Sequence, residues 1–252
     1  FKERQGAGRL PLRGGDDDRR ALDLAISAVL EGWEKDERTG HQALFAVRVR
    51  RLRDDLYRLI EREAREPILD RGVPMLFEHS FGPLTLHSAS DPGGLPLSVQ
   101  GVIDRVDMRP AILPDGRRAL TALVLDYKAG RLDRYEGYLT HELLRTSFQL
   151  PLYAAAVRAD PTLQQGGVVI DHVMARYYSL RSGRVSAAAL DDPAMIALGA
   201  AQAQAPQRNV AEVAYHLWRR LRDGDFRVAP RTCEGCGMEA ACRVDAQVVV
   251  AG

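Results

Sequence analysis

Residues 101–131 read GVIDRVDMRPAILPDGRRALTALVLDYKAGR, and this stretch decides the fold. Two runs rich in Val, Ile and Leu flank a polar turn at residues 115–117 (DGR), a pattern typical of two strands joined as a hairpin. The first run carries Asp104, and the second ends with Asp126 and Lys128. Charge that is buried in a sheet without a partner is costly or becomes neutralised. A metal ion and a phosphate group would supply the missing partners.

Alternation along each strand predicts which of these charged side chains share a face. In residues 120–128 every second side chain lies on one face, so Asp126 and Lys128 point the same way. If that face coincides with the face that carries Asp104, two carboxylates converge beside an ammonium group. Such hard oxygen ligands suit Mg²⁺ or Mn²⁺. The alternative is a surface ion pair of Asp126 with Lys128 or Arg105, and spacing alone does not separate the two.

Composition excludes several classes of protein. The chain has 252 residues, of which 46% are hydrophobic and 27% charged, as is typical of a soluble globular protein. Its 35 basic and 34 acidic residues give a net charge of +1, so there is no global basic signal for nucleic acid. We find no apolar run as long as a membrane span and no signal-peptide pattern, which predicts a cytoplasmic protein. Because the sequence starts at Phe1, we expect a fragment of a longer protein.

Hydrophobic periodicity predicts helices on both sides of a group of strands. The predicted helices cover residues 18–35, 42–66, 139–159, 193–203 and 210–221. The predicted strands cover residues 75–81, 84–87, 97–108, 119–128 and 168–180. This order favours one α/β domain with a mixed sheet and a helical N-terminal arm.

The second helix of the arm combines an apolar stripe with many arginines. The stripe consists of Phe45, Val49, Leu52, Leu56, Leu59 and Ile60. Charge runs on a helix usually form a solvated surface, and we favour that interpretation for the arginines. Contact with the DNA backbone is the alternative.

All three cysteines of the chain lie close together near its C-terminus. Cys233, Cys236 and Cys242 are spaced C-x2-C-x5-C, which would allow them to hold one soft metal ion or cluster. The spacing does not choose between an iron–sulfur cluster, zinc and three free thiols.

Three segments, taken in order, resemble the successive motifs of a known family. They are GVIDRVD at residues 101–107, LDYKAG at residues 125–130 and QLPLY at residues 149–153. The ordered set is similar to the PD-(D/E)XK nucleases, in the RecB-like branch of the RecBCD, AddAB and AdnAB helicase–nucleases and of CRISPR adaptation exonucleases. The resemblance extends from about Glu78 to the C-terminus.

The fold that this resemblance implies is α/β. A PD-(D/E)XK restriction-endonuclease-like core, with a central mixed sheet flanked by helices, would follow a helical arm. We therefore expect the arm at residues 1–70, the nuclease core at residues 71–230 and a C-terminal cysteine segment at residues 231–252.

The resemblance also implies roles for the charged residues of the hairpin. Asp104 and Asp126 would bind the metal ion, with the backbone carbonyl of Tyr127 as a third ligand, and Lys128 would be the catalytic lysine. This branch takes a further ligand from an upstream histidine in a Gly-x-x-x-His context. His41 lies in other surroundings, so we expect that histidine to precede the sequence or to be absent.

Residues that follow the hairpin would complete the site. By the resemblance, Gln149 and Tyr153 would shape the site and contact DNA, although helix packing is the alternative role for Tyr153. Arg131 and Arg134 follow the second strand directly and are expected to contact phosphates.

The cysteines resemble the three C-terminal ligands of the [4Fe-4S] cluster in AddB-type nuclease domains. There the fourth cysteine lies far upstream, before the helical arm, and we expect it upstream of this sequence. A protein of this kind would be an Mg²⁺- or Mn²⁺-dependent deoxyribonuclease. It would act as an exonuclease on single strands or duplex ends, beside a helicase domain or subunit, in DNA end processing and recombinational repair.

Two other functions stay open. One is a catalytically degenerate nuclease fold that binds DNA or acts as a scaffold, held together by an iron–sulfur cluster or zinc. The other is a zinc-stabilised protein-interaction domain, which leaves the hairpin charges unexplained.

Overall fold

A computed structural model describes residues 1–36, 39–130, 132–140, 143–145, 147–199 and 206–225, without the side chains of Glu3 and Arg134. The helices are α1 (Lys2–Gly6), α2 (Asp16–Lys35), α3 (Gln42–Arg65), α4 (Leu132–Thr140), α5 (Gln149–Ala159), α6 (Pro193–Ile196) and α7 (Val210–Arg222). The strands are β1 (Val73–Leu86), β2 (Leu97–Ile112), β3 (Arg118–Lys128), β4 (Val169–Ser179) and β5 (Arg184–Val185).

The strands form one five-stranded sheet in the order β1-β2-β3-β4-β5. β3 and β4 are parallel, and the other neighbouring strands are antiparallel. The parallel pair requires a crossover connection, which contains α4 and α5. The mixed sheet with flanking helices confirms the predicted α/β class.

Both faces of the sheet are covered, which explains why β3 reads as a nearly continuous apolar run. On one face Val106, Ala122 and Val124 pack in a cluster with residues of α5 such as Leu150 and Ala154. On the other face Leu123 and Leu125 pack against Leu59 of α3. Alternate residues of β3 therefore contact opposite helical layers.

The predicted helix over residues 139–159 is wrong in its first half. The chain instead forms α4, a turn in which Leu144 has a φ of 58°, and then α5. Pro151 accounts for the late start of α5, because it occupies the first turn, where its missing N–H costs nothing.

The prediction for residues 193–203 is also too long. α6 ends at Ile196, and residues 197–199 are not helical. The Asn209 side chain donates hydrogen bonds to the carbonyls of Ala194 (2.8 Å) and Ala197 (2.9 Å), which ties down the end of this short helix.

The strands at residues 75–81 and 84–87, predicted separately, form the single strand β1, with a register shift between the pairs of Phe81 and Leu84. β2 also extends further than predicted, to Ile112. The pattern gave no prediction of α1, α4 or the two-residue β5.

The apolar stripe predicted for α3 is buried only near its end. Leu59 and Ile60 are buried, whereas Leu52 is 39% exposed. Arg48, Arg50, Arg51 and Arg58 are exposed, in agreement with a solvated face. None of the helices in the described part of the chain is long and apolar enough to span a membrane.

Candidate active site

Asp104 and Asp126 lie where β2 and β3 stop pairing. The backbone register of the two strands ends at the Arg105–Leu125 pair, and the next positions on each strand are the two aspartates. There the Asp104 carboxylate accepts a hydrogen bond from the backbone N–H of Tyr127 at 2.8 Å. The two faces therefore coincide, and the two aspartates lie across from each other.

Asp126 is almost fully buried and forms an ion pair with Lys128. Its Oδ2 atom has no well-aligned hydrogen bond, although the ammonium group is close. Burial raises the pKa of Asp126, and the negative charge of Asp104 raises it further, while Lys128 opposes both. The ion pair considered from spacing therefore exists, but it lies inside the protein rather than on the surface.

Lys128 is held from two sides. Its ammonium group contacts Asp126 and donates a hydrogen bond to Gln149 Oε1 at 3.1 Å. Burial lowers the pKa of Lys128, but the neighbouring Asp126, with smaller effects of Tyr177 and Asp104, outweighs burial and leaves this pKa above its ordinary value. The side chain is therefore a cation at neutral pH, with 21% of its surface still exposed.

Gln149 and Tyr153 extend this chain of hydrogen bonds from the first turns of α5. Because lysine only donates, the Gln149 carbonyl faces Lys128, and its amide N–H donates to the Tyr153 hydroxyl at 3.0 Å. The Tyr153 ring packs edge-on against Phe81 of β1, with 5.9 Å between centroids. Tyr153 thus positions Gln149 and also packs in the core, so the two roles considered for it are compatible.

The carboxylates can serve a hard divalent cation. Mg²⁺ commonly uses one or two carboxylates and completes its shell with water and substrate phosphate oxygens. The buried Asp126 Oδ2, which lacks an aligned donor, fits that use. Among the described residues no group of three or more His, Cys, Asp or Glu side chains is placed to hold a metal ion.

The opposite face of β2 and β3 carries a buried ionic network that was not predicted. Arg105, 1% exposed, donates to both carboxylate oxygens of Asp107 and to Glu63 of α3 at 2.7 Å. It also donates to the Tyr127 hydroxyl at 3.3 Å, while the Tyr178 hydroxyl donates to Glu63 at 3.0 Å. Arg105 is therefore a partner of Glu63 and Asp107, not of Asp126.

Signals of this network are present in the sequence. Arg105 and Asp107 alternate with Asp104 and Val106, so they must face the other side of the sheet. Glu63 follows Leu59 by four residues and so interrupts the apolar stripe of α3 with a charge.

Comparison with known families agrees with this geometry. The family model of the PD-(D/E)XK nuclease superfamily matches residues 4–243, nearly the whole chain. The chain belongs to the PD-(D/E)XK nuclease superfamily. A search of the curated proteins gives no match.

Several residues predicted for the candidate site are not among those described. Arg131, the side chain of Arg134 and the cysteines Cys233, Cys236 and Cys242 lie outside the described part of the chain. The phosphate contacts and the cluster therefore stay predictions.

Three tyrosines close to Lys128 were not predicted. Tyr135 and Tyr138 lie on α4, and Tyr177 of β4 is paired in register with Asp126. The Lys128 ammonium lies 5.8 Å from the centroid of the Tyr135 ring and 5.4 Å from that of Tyr177. The spacing of Tyr135 and Tyr138 by three residues is the signal that would have placed both on one helix face.

Proposed function

We propose that this chain is an Mg²⁺- or Mn²⁺-dependent deoxyribonuclease domain that hydrolyses phosphodiester bonds at the site formed by Asp104, Asp126 and Lys128. The observation that carries the proposal is the convergence of two carboxylates and a held ammonium at the point where β2 and β3 separate. Membership of a nuclease superfamily supports the same reaction.

Asp104 and Asp126 would hold the metal ion, with the backbone carbonyl of Tyr127 as the third protein ligand that the resemblance implies. When bound, the ion would lower the pKa of a water molecule and neutralise charge on the phosphate. The hydrogen bond from the Tyr127 N–H would fix the orientation of the Asp104 carboxylate before substrate arrives.

Lys128 would act on the scissile phosphate itself. Its ammonium group has an exposed part, is cationic at neutral pH, and is held by Asp126 and Gln149. A fixed positive charge at this place stabilises the negative charge that develops on the phosphate oxygens during attack. Tyr153 contributes indirectly, because its hydroxyl holds the Gln149 amide.

We further propose exonuclease action on single strands or duplex ends, with binding that is largely independent of sequence and falls as salt rises. Arg131 and Arg134 follow β3 directly and would contact phosphates. The resemblance to helicase–nucleases supports a helicase domain or subunit as partner, and a role in recombinational repair in the cytoplasm.

The organisation proposed for the chain is an arm at residues 1–70, a nuclease core at residues 71–230 and a cysteine segment at residues 231–252. The resemblance of Cys233, Cys236 and Cys242 to the C-terminal cluster ligands of AddB-type nuclease domains supports a [4Fe-4S] cluster, with zinc or three free thiols as the alternatives. A brown protein whose visible absorbance disappears on oxidation would support the cluster, whereas stoichiometric zinc in a colourless protein would exclude it.

A second candidate function is a degenerate nuclease fold that binds DNA without cutting it. One observation favours it. Among the described residues, no third His, Cys, Asp or Glu side chain joins the two carboxylates in a group that could hold a metal ion. One experiment separates the two functions. The full chain is incubated with end-labelled linear DNA or closed circular single-stranded DNA, in Mg²⁺, Mn²⁺ or EDTA, and cleavage and binding are measured together.

An exonuclease would release nucleotides from the linear DNA only, and only with metal. Cleavage of the circle as well would show endonuclease action and overturn the exonuclease assignment. Binding of DNA without cleavage in either metal would contradict the proposed nuclease activity and support the degenerate fold that only binds DNA.

A further inference from the structure

A cavity of about 380 Å³ opens directly beside the proposed catalytic lysine. One part of its wall is formed by Lys128 and Gln149. The rest is mostly aromatic and consists of Tyr135, Tyr138, Phe148 and Tyr177, with Ser147. Its volume lies within the roughly 300–1,000 Å³ of pockets that bind small molecules. A group that enters the cavity therefore touches aromatic rings while its neighbour in the chain can reach Lys128.

The rings are fixed in position before any ligand arrives. Tyr177 is 1% exposed and its hydroxyl is hydrogen-bonded to Ser147 at 3.0 Å, so its ring is held in place and offers almost no free surface to a ligand. Tyr135 packs on it with 5.6 Å between centroids, and Tyr138 lies 5.7 Å from Tyr135 at 76°. Tyr135 and Tyr138 are only half-buried, so part of their surface faces solvent or a ligand. Little side-chain entropy remains to be lost when a flat group binds there.

The backbone around the cavity is adapted to these rings. A Cβ atom at Gly130 would lie 2.9 Å from the Tyr135 hydroxyl, so glycine leaves room for the ring to approach β3. Lys128 is the only cation among the described residues that line the cavity. The aromatic rings of the lining suit an uncharged, flat, partly polar group.

We propose that the cavity is a nucleobase subsite, which takes the unpaired base next to the scissile phosphate. This inference rests on the proposed nuclease function and names its substrate as single-stranded DNA or a frayed end. A base in a duplex is stacked and paired, so it can enter such a pocket only after it leaves the helix. Aromatic side chains accept every base because each has a π-face, and this explains binding without sequence preference.

The test uses the full chain and an oligodeoxynucleotide that carries 2-aminopurine at one position at a time, with Ca²⁺ in place of Mg²⁺ to suppress cleavage. We expect quenching of the fluorescence at one position near the end, and a matching loss of affinity when that position is abasic. Stacking on aromatic rings contributes about 1–3 kcal/mol per base, so the abasic oligonucleotide should bind roughly 5- to 150-fold more weakly. This comparison leaves the protein unaltered.

Variants then assign the effect to the cavity. Tyr138→Leu should abolish the local quenching and make the intact oligonucleotide bind as weakly as the abasic one, whereas Tyr138→Phe keeps the ring and should behave as the wild type. Trp33→Leu is the matched control, since Trp33 is a half-exposed aromatic residue on the helical arm. It should change neither quenching nor affinity.

The outcomes separate this inference from the proposed function. The protein could cleave single-stranded and fully paired DNA at equal rates, with no effect of an abasic position. This result would contradict the nucleobase subsite but agree with the nuclease function. Position-specific quenching without cleavage in Mg²⁺ or Mn²⁺ would support the nucleobase subsite but contradict the nuclease function. Equal quenching in the wild type and Tyr138→Leu would place the stacked base elsewhere and overturn the assignment to this cavity.

Discussion

Arg105→Met tests the buried network that joins α3 to the hairpin formed by β2 and β3. The arginine is 1% exposed, and it supplies the donors for Asp107 at 2.5 and 2.9 Å and for Glu63 at 2.7 Å. Methionine is apolar and reproduces only the aliphatic part of the arginine side chain, so the change removes the charge and leaves two buried carboxylates without their cation. Breaking a buried pair in this way costs about 3–5 kcal/mol. We therefore predict a loss of that size in the free energy of unfolding.

The measurement is urea denaturation of the full chain at neutral pH. Arg117→Met is the control, because Arg117 pairs with Asp115 in the exposed turn between β2 and β3. That change should leave the midpoint nearly as it is in the wild type. Adding Glu63→Gln and Asp107→Asn to Arg105→Met should restore part of the lost stability, since the deficit arises from unpaired charge.

The pH dependence gives a second check on Arg105→Met. Burial already raises the pKa of Asp107 in the wild type, although Arg105 opposes it. Without the arginine, the folded pKa of Asp107 rises further above its unfolded value. A carboxyl group whose pKa is higher in the folded than in the unfolded state stabilises the folded state at low pH. This stabilisation is lost as pH rises. The deficit of the variant should therefore shrink between neutral pH and about pH 4, near the ordinary pKa of a carboxyl group. A loss below about 1 kcal/mol, or a triple variant no more stable than the single one, would refute the reasoning.

Three further predictions concern single contacts. Tyr153→Phe removes the acceptor of the Gln149 amide at 3.0 Å, and should lower kcat up to about tenfold with little change in KM for DNA, measured by steady-state cleavage. Asn209→Ala removes the cap of α7 and both bonds to the carbonyls at the end of α6, and should cost about 1–3 kcal/mol in urea denaturation. Burial raises the pKa of Asp160, but hydrogen bonds from the following turn and from His79 outweigh it, so the folded pKa lies below the ordinary value. The stability from Asp160 is thus present above the unfolded pKa and lost as pH falls through the folded one. Asp160→Asn should therefore destabilise at neutral pH, with a difference that vanishes in acid, and a constant difference across pH would contradict this.

The part of the site that was predictable from sequence follows from strand periodicity. Alternation placed Asp126 and Lys128 on one face, and the register that brings Asp104 across from Asp126 follows from pairing over a hairpin. The beginning of α5 was also available in principle, since Pro151 belongs in a first turn and not in the middle of a helix. The helix predicted from residue 139 followed the apolar pattern and disregarded this preference of proline for a first turn.

Contacts between distant segments were not predictable in the same way. Glu63, Arg105 and Tyr178 are far apart in the chain, and only the packing of α3 on the sheet brings them together. The aromatic cavity likewise depends on the crossover after β3, which brings the Tyr135 ring into contact with the Tyr177 ring. Periodicity reports which face a side chain occupies, but not which element lies above that face.

The most direct test of the central claim is the rate of phosphodiester hydrolysis by the full chain in Mg²⁺, for the wild type and for variants of the hairpin. Asp126→Asn and Lys128→Met remove the buried carboxylate and the held ammonium, while Asp115→Asn makes the same kind of change in the exposed turn. We predict a loss of at least about a hundredfold for the first two, as expected when an electrostatic contact to the reacting group is removed, and a wild-type rate for Asp115→Asn. Equal rates in the wild type, Asp126→Asn and Lys128→Met would contradict the account.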